Sequence, residues 1–343
     1  MATPSLVLKV DVDTLRGTLE GVPRLVELFQ RHRTDATFLF SLGPDHTGRA
    51  IRRVFRRGFL GKVKRTSILE HYGLKTLLYG TLLPGPDIGR RAGDAMRRVR
   101  AAGFETGIHC WDHVYWQDHV AGADREWTVR EMRKAAERYA DIFGAAATVH
   151  GAAGWQMNTH ALWLTAELGF TCCADARGAH PFLPVVSGET IRCPQFPTTL
   201  PTLDELIGLD GITADNVADR LLALTATPPM TGHVFTLHAE LEGMKFLPVL
   251  DRLLAGWRDQ GYRLGALRTL VSEMALDTLP RHQVGYGTVP GRTGTLLIQG
   301  SAVDQAKSGI NSPLDPQRWP GPGYDRSAAT SPRPSAPDSP GSY

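Results

Sequence analysis

Cysteine is scarce in this sequence. Its 343 residues include four cysteines, and none of them forms a Cys-x-x-Cys pair. A secreted protein held together by disulfides would need more cysteines at regular spacings, so this chain is not expected to be one. We interpret the cysteines as reduced thiols, which predicts a cytosolic compartment.

Long hydrophobic runs are also missing. The first nine residues do not combine a charged segment with an extended apolar stretch, so no signal peptide is predicted. The sequence contains no run of about 18 uncharged apolar residues, the length that a spanning helix requires. Any contact with a membrane is therefore expected to be peripheral.

Acidic residues are missing from one segment of an otherwise balanced chain. The formal net charge of +3 is too small to predict nucleic-acid binding, and nothing in the sequence indicates an obligate protein partner. Residues 49–65, however, hold eight cations and no acid: Arg49, Arg52, Arg53, Arg56, Arg57, Lys62, Lys64 and Arg65. Phe55, Phe59 and Leu60 are interleaved with them, and an apolar stretch follows. We interpret residues 49–83 as a basic, apolar insertion.

Strand-like and helix-like segments alternate along the chain. Apolar runs predict strands at residues 6–10, 36–40, 104–109, 148–152, 170–174 and 234–238, and helical periodicity predicts helices at 20–33, 92–102, 127–143, 159–168, 214–224 and 246–260. This alternation is typical of βαβ units and a parallel sheet. Six or seven units fit before residue 275, so we predict an α/β fold with a distorted, incomplete (β/α) barrel. A doubly wound open sheet is the alternative.

The C-terminal part of the chain lacks this pattern. From about Gly300 the sequence is rich in Pro, Ser and Gly and shows no apolar periodicity, which is typical of disorder. We therefore predict a folded catalytic domain over residues 1–280 and a disordered tail over residues 281–343.

Polar residues stand at the ends of the predicted strands, where a β/α barrel carries its active site. Asp11 and Asp13 end the first strand. Residues i and i+2 of a strand point to the same side, so these two carboxylates would repel unless a cation or a proton intervenes. A solvated turn is the alternative interpretation of this pair.

Histidines end two later strands. His109 and His113 are four residues apart, a spacing that lets both imidazoles face one metal ion, although such pairs also arise by chance. With one aspartate they would form the two-nitrogen, one-oxygen ligand set of a catalytic zinc-type site. His238 ends another apolar strand, and a buried structural histidine is its alternative role.

Six segments of the sequence together carry a family resemblance. They begin at Asp11 (Asp-Val-Asp-Thr-Leu-Arg-Gly), Gly107 (Gly-Ile-His-Cys-Trp-Asp-His), Ala152 (Ala-Ala-Gly-Trp), Asp175 (Asp-Ala-Arg-Gly-Ala-His-Pro-Phe), Leu200 (Leu-Pro-Thr-Leu-Asp-Glu) and Thr236 (Thr-Leu-His-Ala-Glu-Leu-Glu-Gly). In this order they resemble the polysaccharide deacetylase family, and within it the branch of 4-deoxy-4-formamido-L-arabinose-phosphoundecaprenol deformylases. The resemblance covers roughly residues 5–275.

The resemblance implies a distorted barrel of the polysaccharide deacetylase type, one divalent metal ion (Zn, Mn, Co or Ni) and roles for five residues. Asp13, His109 and His113 match the metal ligands. Asp11 matches the base that takes a proton from the attacking water. His238 matches the acid that protonates the leaving amine.

The resemblance also implies a biological setting. The substrate would be formamido-arabinose linked to undecaprenyl phosphate, at the cytoplasmic face of the bacterial inner membrane. The deformylated sugar would modify lipid A and reduce sensitivity to cationic antimicrobial peptides such as polymyxin. We expect Arg52, Arg53, Arg56 and Arg57 to contact the anionic membrane surface and the lipid phosphate.

The sequence departs from the family at one motif. Many deacetylases carry an Arg-x-Pro motif that orients the catalytic aspartate, whereas residues 152–155 contain no arginine. Arg177 is a candidate to supply that charge, although a role as a mere loop cation is as compatible with the pattern. Asp175 and Glu240 are candidates to orient His238.

Two further interpretations stay open. Trp111 and Trp155 stand near the motifs, where an aromatic face suits a sugar ring, but core packing explains a single tryptophan equally well. The chain could instead deacetylate another N-acyl sugar or a small amide, or bind a sugar lipid without catalysis.

Overall fold

Strands and helices alternate in the structure as the sequence predicts. The computed structural model describes residues 3–50, 76–292 and 294–303. The strands are β1 (Ser5–Val12), β2 (Thr37–Ser41), β3 (Glu105–Cys110), β4 (Val149–His150), β5 (Cys172–Cys173), β6 (Leu183–Val186), β7 (Glu189–Thr190), β8 (His233–His238), β9 (Arg263–Gly265), β10 (Arg281–Gly287) and β11 (Leu296–Ala302). The α-helices are α1 (Val22–Arg31), α2 (Ile88–Ala101), α3 (His113–His119), α4 (Arg125–Phe143), α5 (Thr159–Glu167), α6 (Leu203–Leu206), α7 (Val217–Leu224), α8 (Leu247–Asp259) and α9 (Leu267–Glu273).

The main sheet curls into part of a barrel. Within the described ranges its strands follow the order β5-β4-β3-β2-β1-β8, with β9 attached to β1, and neighbouring strands are parallel. An irregular segment lies between β5 and β8, where Phe196 N donates to Cys173 O (2.7 Å) and Thr199 N donates to Val234 O (3.0 Å). The prediction of a distorted, incomplete barrel is confirmed. The doubly wound alternative is wrong, because the late strand β8 returns to β1.

Strand β1 is buried along its whole length, as expected of a strand with helices on one side and the barrel interior on the other. Leu6, Leu8 and Val10 pack into the core formed with the helices. Val7 points the other way and packs with Leu39 inside the barrel. Because side chains alternate along a strand, Lys9 and Asp11 share the inward face with Val7.

Local sequence signals set one end of each of two helices. Helix α2 begins four residues before its predicted start, because the Asp87 carboxylate accepts the backbone N–H of Arg90 (2.9 Å) and so caps the first turn. Helix α4 ends as predicted at Gly144, whose φ of 69° is left-handed.

The predicted domain boundary at residue 280 is wrong. Strand β10 pairs with β6 and β11, and Leu296 and Leu297 of β11 are buried. Compact packing groups residues 294–303 with the rest of the described chain in one unit. The apolar pattern missed β10 because its seven residues, Arg-His-Gln-Val-Gly-Tyr-Gly, are partly or fully exposed and mostly polar.

Most of the predicted insertion lies outside the described residues, including Arg52, Arg53, Arg56 and Arg57. At its ends, Arg49 Nε donates to Gly80 O (2.9 Å), and Leu82 is 81% exposed. No described helix is both long enough and apolar enough to cross a membrane.

Candidate metal and catalytic site

The predicted site residues meet at the carboxyl end of the parallel sheet. Asp11 lies near the end of β1 and pairs in register with His238, the last residue of β8. His109 lies near the end of β3, and His113 is the first residue of α3. The two histidines therefore stand on a strand end and a helix start, and not on one helical turn as their spacing alone suggested.

Asp13 lies between the two imidazoles. Its Oδ1 atom is 3.2 Å from His109 Nε2 and 3.5 Å from His113 Nε2. The candidate ligand atoms of the three residues all lie within 4.8 Å of one another. His109 is buried, whereas Asp13 and His113 are partly exposed, so the group is open to solvent on one side.

The ring orientation of His109 is fixed by the backbone. His109 Nδ1 is 2.6 Å from Gly151 O. A carbonyl oxygen can only accept, so Nδ1 carries the proton and Nε2 presents its lone pair to the Asp13 side. Asp175 holds this turn, because its Oδ1 accepts the backbone N–H of Ala152 (2.8 Å) and contacts His150 Nδ1 (2.7 Å).

The loop after β1 is held by Glu240. Its Oε1 atom accepts the backbone N–H groups of Asp13 (3.1 Å) and Thr14 (2.8 Å), together with the hydroxyl of Thr14 (2.8 Å). A Cβ atom at Gly17 would lie 1.9 Å from that oxygen, so this position requires glycine. Glu240 thus positions Asp13, and the prediction that it orients His238 is wrong.

The electrostatics of the three residues match a site for a cation. Burial alone would raise the pKa of Asp13, but the neighbouring imidazoles of His113 and His109 outweigh it and hold that pKa below its usual value. Burial lowers the pKa of His113. Burial lowers the pKa of His109 as well, but the charges of Asp11 and Asp13 outweigh it and raise that pKa. The low pKa of Asp13 leaves an anion between the two imidazoles, the form of a carboxylate that binds metal.

Several polar atoms of the site have no hydrogen-bond partner. Six buried side-chain atoms of the described residues lack one, and they include Asp11 Oδ1, Asp13 Oδ1 and His238 Nδ1. Buried polar atoms are normally paired, so this concentration indicates that something else completes the site. One carboxylate and two imidazoles fit a divalent cation.

Lys9 lies beside the predicted base. Its Nζ atom is 2.6 Å from Asp11 Oδ2, and Lys9 is fully buried. Arg177 does not supply this charge, because its Nη1 donates to Glu205 (2.6 Å) and its Nη2 to Leu200 O (3.1 Å). The prediction for Arg177 is therefore wrong, since its guanidinium is already bound to Glu205 and to the backbone of Leu200.

His238 is approached by two acids that the sequence interpretation did not select. Asp204 Oδ1 is 3.9 Å from its Nδ1 atom, and Glu242 Oε2 accepts its backbone N–H (2.8 Å). Burial raises the pKa of Glu242 to about 7. Asp175, whose carboxylate is bound to the turn before Ala152, does not orient His238 as predicted.

Trp155 is enclosed by cations. It is 1% exposed, and its ring centroid lies 5.1 Å from Lys9 Nζ, 4.9 Å from Arg177 Cζ and 4.4 Å from Arg292 Cζ. Core packing, the interpretation favoured for any single tryptophan, therefore fits Trp155, because its ring is buried. Trp111 is partly exposed, with the Arg138 guanidinium 5.0 Å from its ring.

Lys9, Asp204 and Arg292 were missed by sequence reasoning. A lysine inside an otherwise apolar strand was a usable signal for Lys9, and Asp204 belongs to the matched Leu-Pro-Thr-Leu-Asp-Glu segment. Arg292, which donates to Glu205 (2.5 Å) and Asp204 (3.2 Å), stands in the segment that had been assigned to the tail.

Comparisons with known proteins identify relatives of this sequence. A protein of Shewanella sediminis (strain HAW-EB3), described as the 4-deoxy-4-formamido-L-arabinose-phosphoundecaprenol deformylase ArnD, is 34% identical over 301 residues, which are 88% of this chain and 96% of that protein. A protein of Wigglesworthia glossinidia brevipalpis with the same description is 29% identical over 284 residues, 82% of this chain and 98% of that protein.

A solved structure is similar in fold. It is described as a polysaccharide deacetylase of Mycobacterium smegmatis and superposes with a TM-score of 0.57 at 16% identity, covering 84% of this chain and 96% of that one. No protein-family model matches the sequence.

Proposed function

Because the chain belongs to the family of 4-deoxy-4-formamido-L-arabinose-phosphoundecaprenol deformylases, we propose that it deformylates this lipid-linked sugar. The chain is a hydrolase that acts on an amide C–N bond. The products would be formate and the 4-amino sugar lipid, which would serve lipid A modification and resistance to cationic antimicrobial peptides such as polymyxin.

One observation carries the proposal: Asp11 Oδ1, Asp13 Oδ1 and His238 Nδ1 are buried without hydrogen-bond partners in the same site. A barrel that only bound a sugar lipid would gain nothing from leaving these three atoms unsatisfied, since each one costs stability. A hydrolytic site needs such atoms, because a ligand, a water molecule and a leaving group must bind there.

Asp13, His109 and His113 would hold one divalent cation, for which the family resemblance implies Zn, Mn, Co or Ni. When bound, the cation supplies a Lewis acid that makes water more acidic and polarises the formyl carbonyl. The protein contributes the orientation of the ligands. Gly151 O fixes His109, and Glu240 fixes the backbone of Asp13.

Asp11 and His238 would move the protons. Asp11 Oδ1 accepts a proton from the attacking water, whose oxygen forms a bond to the formyl carbon. His238 donates a proton to the sugar nitrogen as the C–N bond breaks, because an amine leaves poorly unless it is protonated. The two residues are in-register neighbours on adjacent strands, so both can act on the same amide.

We propose that the protein reaches its substrate at the cytoplasmic face of the inner membrane. Gly80, in the described end of the insertion, packs on His46: a Cβ atom added there would lie 2.7 Å from the imidazole. His46 Nδ1 is in turn 2.5 Å from Asp112 Oδ2, next to His113. Arg49, at the start of the insertion, donates to Gly80 O, so both described ends of the insertion lie near His46. Leu82, at the second end, is exposed.

A comparison of substrates tests this proposal. The purified protein should have a higher kcat/KM for the formamido lipid than for its acetamido analogue or for a short, water-soluble formamido sugar. A protein that prefers the acetamide would be a deacetylase, and one that binds the lipid without turnover would be a binding barrel.

A charge-neutralising variant tests the membrane contact. The variant replaces Arg52, Arg53, Arg56 and Arg57 with Gln. It should be released from anionic vesicles and should lose more activity on the lipid than on the soluble analogue. The matched control replaces four exposed arginines of α2, namely Arg90, Arg91, Arg97 and Arg98. Equal effects of the two quadruple variants would contradict docking by the insertion.

A further inference from the structure

The inward face of β1 carries a charge pair where apolar side chains would fit. Lys9 and Asp11 are 0% and 2% exposed, and their Nζ and Oδ2 atoms are 2.6 Å apart. Val7, the preceding inward residue, is apolar and packs with Leu39. Replacing a buried ion pair with apolar residues is often neutral or stabilising, so stability alone does not explain the pair.

The packing around Lys9 leaves room for its side chain inside the barrel. A Cβ atom at Gly151 would lie 2.8 Å from Lys9 Cε, so the absence of a side chain at that position leaves room for the stem. The Lys9 ammonium lies 5.1 Å from the centroid of the Trp155 ring, whose negative face favours a cation. The position of Nζ is therefore set by packing as well as by charge.

The two carboxylate oxygens of Asp11 have different surroundings. Oδ2 contacts Lys9 Nζ, whereas Oδ1 is buried without a hydrogen-bond partner and lies 3.8 Å from His109 Nδ1. The ammonium therefore holds Oδ2, whereas Oδ1 stays free to accept a hydrogen bond. We propose that Lys9 is a positioning residue, which fixes the Asp11 carboxylate so that Oδ1 alone is presented to the attacking water.

This inference rests on the proposed function, in which Asp11 is the base. It predicts that Lys9→Met lowers kcat about 10–100-fold, with KM and metal affinity little changed. Lys9→Arg, which keeps a buried cation, should recover part of that loss. Val7→Ala is the control for a purely structural role, and it should lower the melting temperature without a comparable loss of kcat.

A double-mutant cycle separates action through Asp11 from a general effect. Once Asp11→Asn has removed the base, adding Lys9→Met should change residual activity by less than about twofold. The double variant should also melt at a higher temperature than Asp11→Asn alone, because it no longer buries an unpaired ammonium. The comparison of the double variant with Asp11→Asn tests the positioning role even if Lys9→Met by itself does not fold.

The results of these experiments distinguish a failure of the proposed base, Asp11, from a failure of the positioning role of Lys9. Full activity of Asp11→Asn would overturn the proposed base, and with it the role of Lys9. Loss of activity in Asp11→Asn, combined with wild-type kcat in Lys9→Met or multiplying effects in the double variant, would overturn the positioning role alone.

Discussion

Asp204 Oδ1 lies 3.9 Å from Nδ1 of His238, and it joins the candidate acid to a charged network at the start of α6. Arg292 donates to the same carboxylate (3.2 Å). Burial raises the pKa of Asp204, but Arg292 and His238 outweigh that effect, and its pKa stays below the usual value. The low pKa keeps Asp204 ionised beside the imidazole of the candidate acid.

Asp204→Asn should reduce kcat roughly tenfold and leave KM and metal content unchanged. The variant removes a negative charge beside His238, the proposed acid, and leaves the proposed metal ligands intact. Steady-state kinetics with the formamido substrate measure the effect. The matched control is Asp219→Asn, which removes an exposed carboxylate paired with Arg252 and should behave like wild type. Unchanged kcat in Asp204→Asn would show that His238 does not depend on this carboxylate.

His109→Ala and His113→Ala should each abolish stoichiometric binding of a divalent cation, because each would remove one of the three proposed protein ligands. Titration calorimetry of the chelator-treated protein measures this directly. His119→Ala is the control, since that histidine belongs to the same helix as His113 but contacts Tyr115 O. Retention of wild-type affinity in either ligand variant would contradict the assignment.

Glu242→Gln should change how stability depends on pH. The pKa of Glu242 rises on folding from 4.5 to about 7, because its carboxyl is buried. Folding therefore takes up a proton between these pH values, and the contribution of Glu242 is fully present below pH 4.5 and lost as the pH rises through 7.

The neutral amide should therefore raise the free energy of unfolding by about 1–3 kcal/mol at pH 8 and have little effect at pH 4.5. Denaturant unfolding at the two pH values measures the difference. Glu27→Gln, at an exposed position of α1, is the control and should leave the profile unchanged. An identical profile for Glu242→Gln and wild type would show that Glu242 does not titrate in this range.

The sequence predicted those site residues that end apolar strands. Asp11, His109 and His238 each follow a run whose hydrophobicity predicts a buried strand, and parallel strands bring their carboxyl ends together.

Other residues could not be placed from the pattern, since their contacts bring together distant parts of the chain. Asp204 meets His238 from a four-residue helix, and Arg292 reaches the site from the connection between β10 and β11. Neither position carries apolar periodicity. Lys9 did carry a signal, because it is the charged residue of an apolar strand, but only its distance to Asp11 shows what it does.

Two truncations test the corrected domain boundary. A chain that ends at Gly287 loses Arg292 and β11, whose Leu296 and Leu297 are buried, so it should lose roughly 3 kcal/mol or more of stability together with most activity. A chain that ends at Val303 lacks only the Pro/Ser/Gly-rich segment and should match the full chain in melting temperature and turnover. Equal stability of the two truncated chains would contradict a structural role for β11.

The most direct test is mass analysis of the formamido-arabinose lipid after incubation with the protein and a divalent cation. Wild-type protein should remove one formyl group, and chelator-treated protein should remove none. Asp11→Asn should still bind the cation but fail to release formate, with turnover reduced about 10²–10⁴-fold. Formyl loss at the wild-type rate in the chelator-treated protein, or in Asp11→Asn, would contradict a metal-dependent deformylase whose base is Asp11.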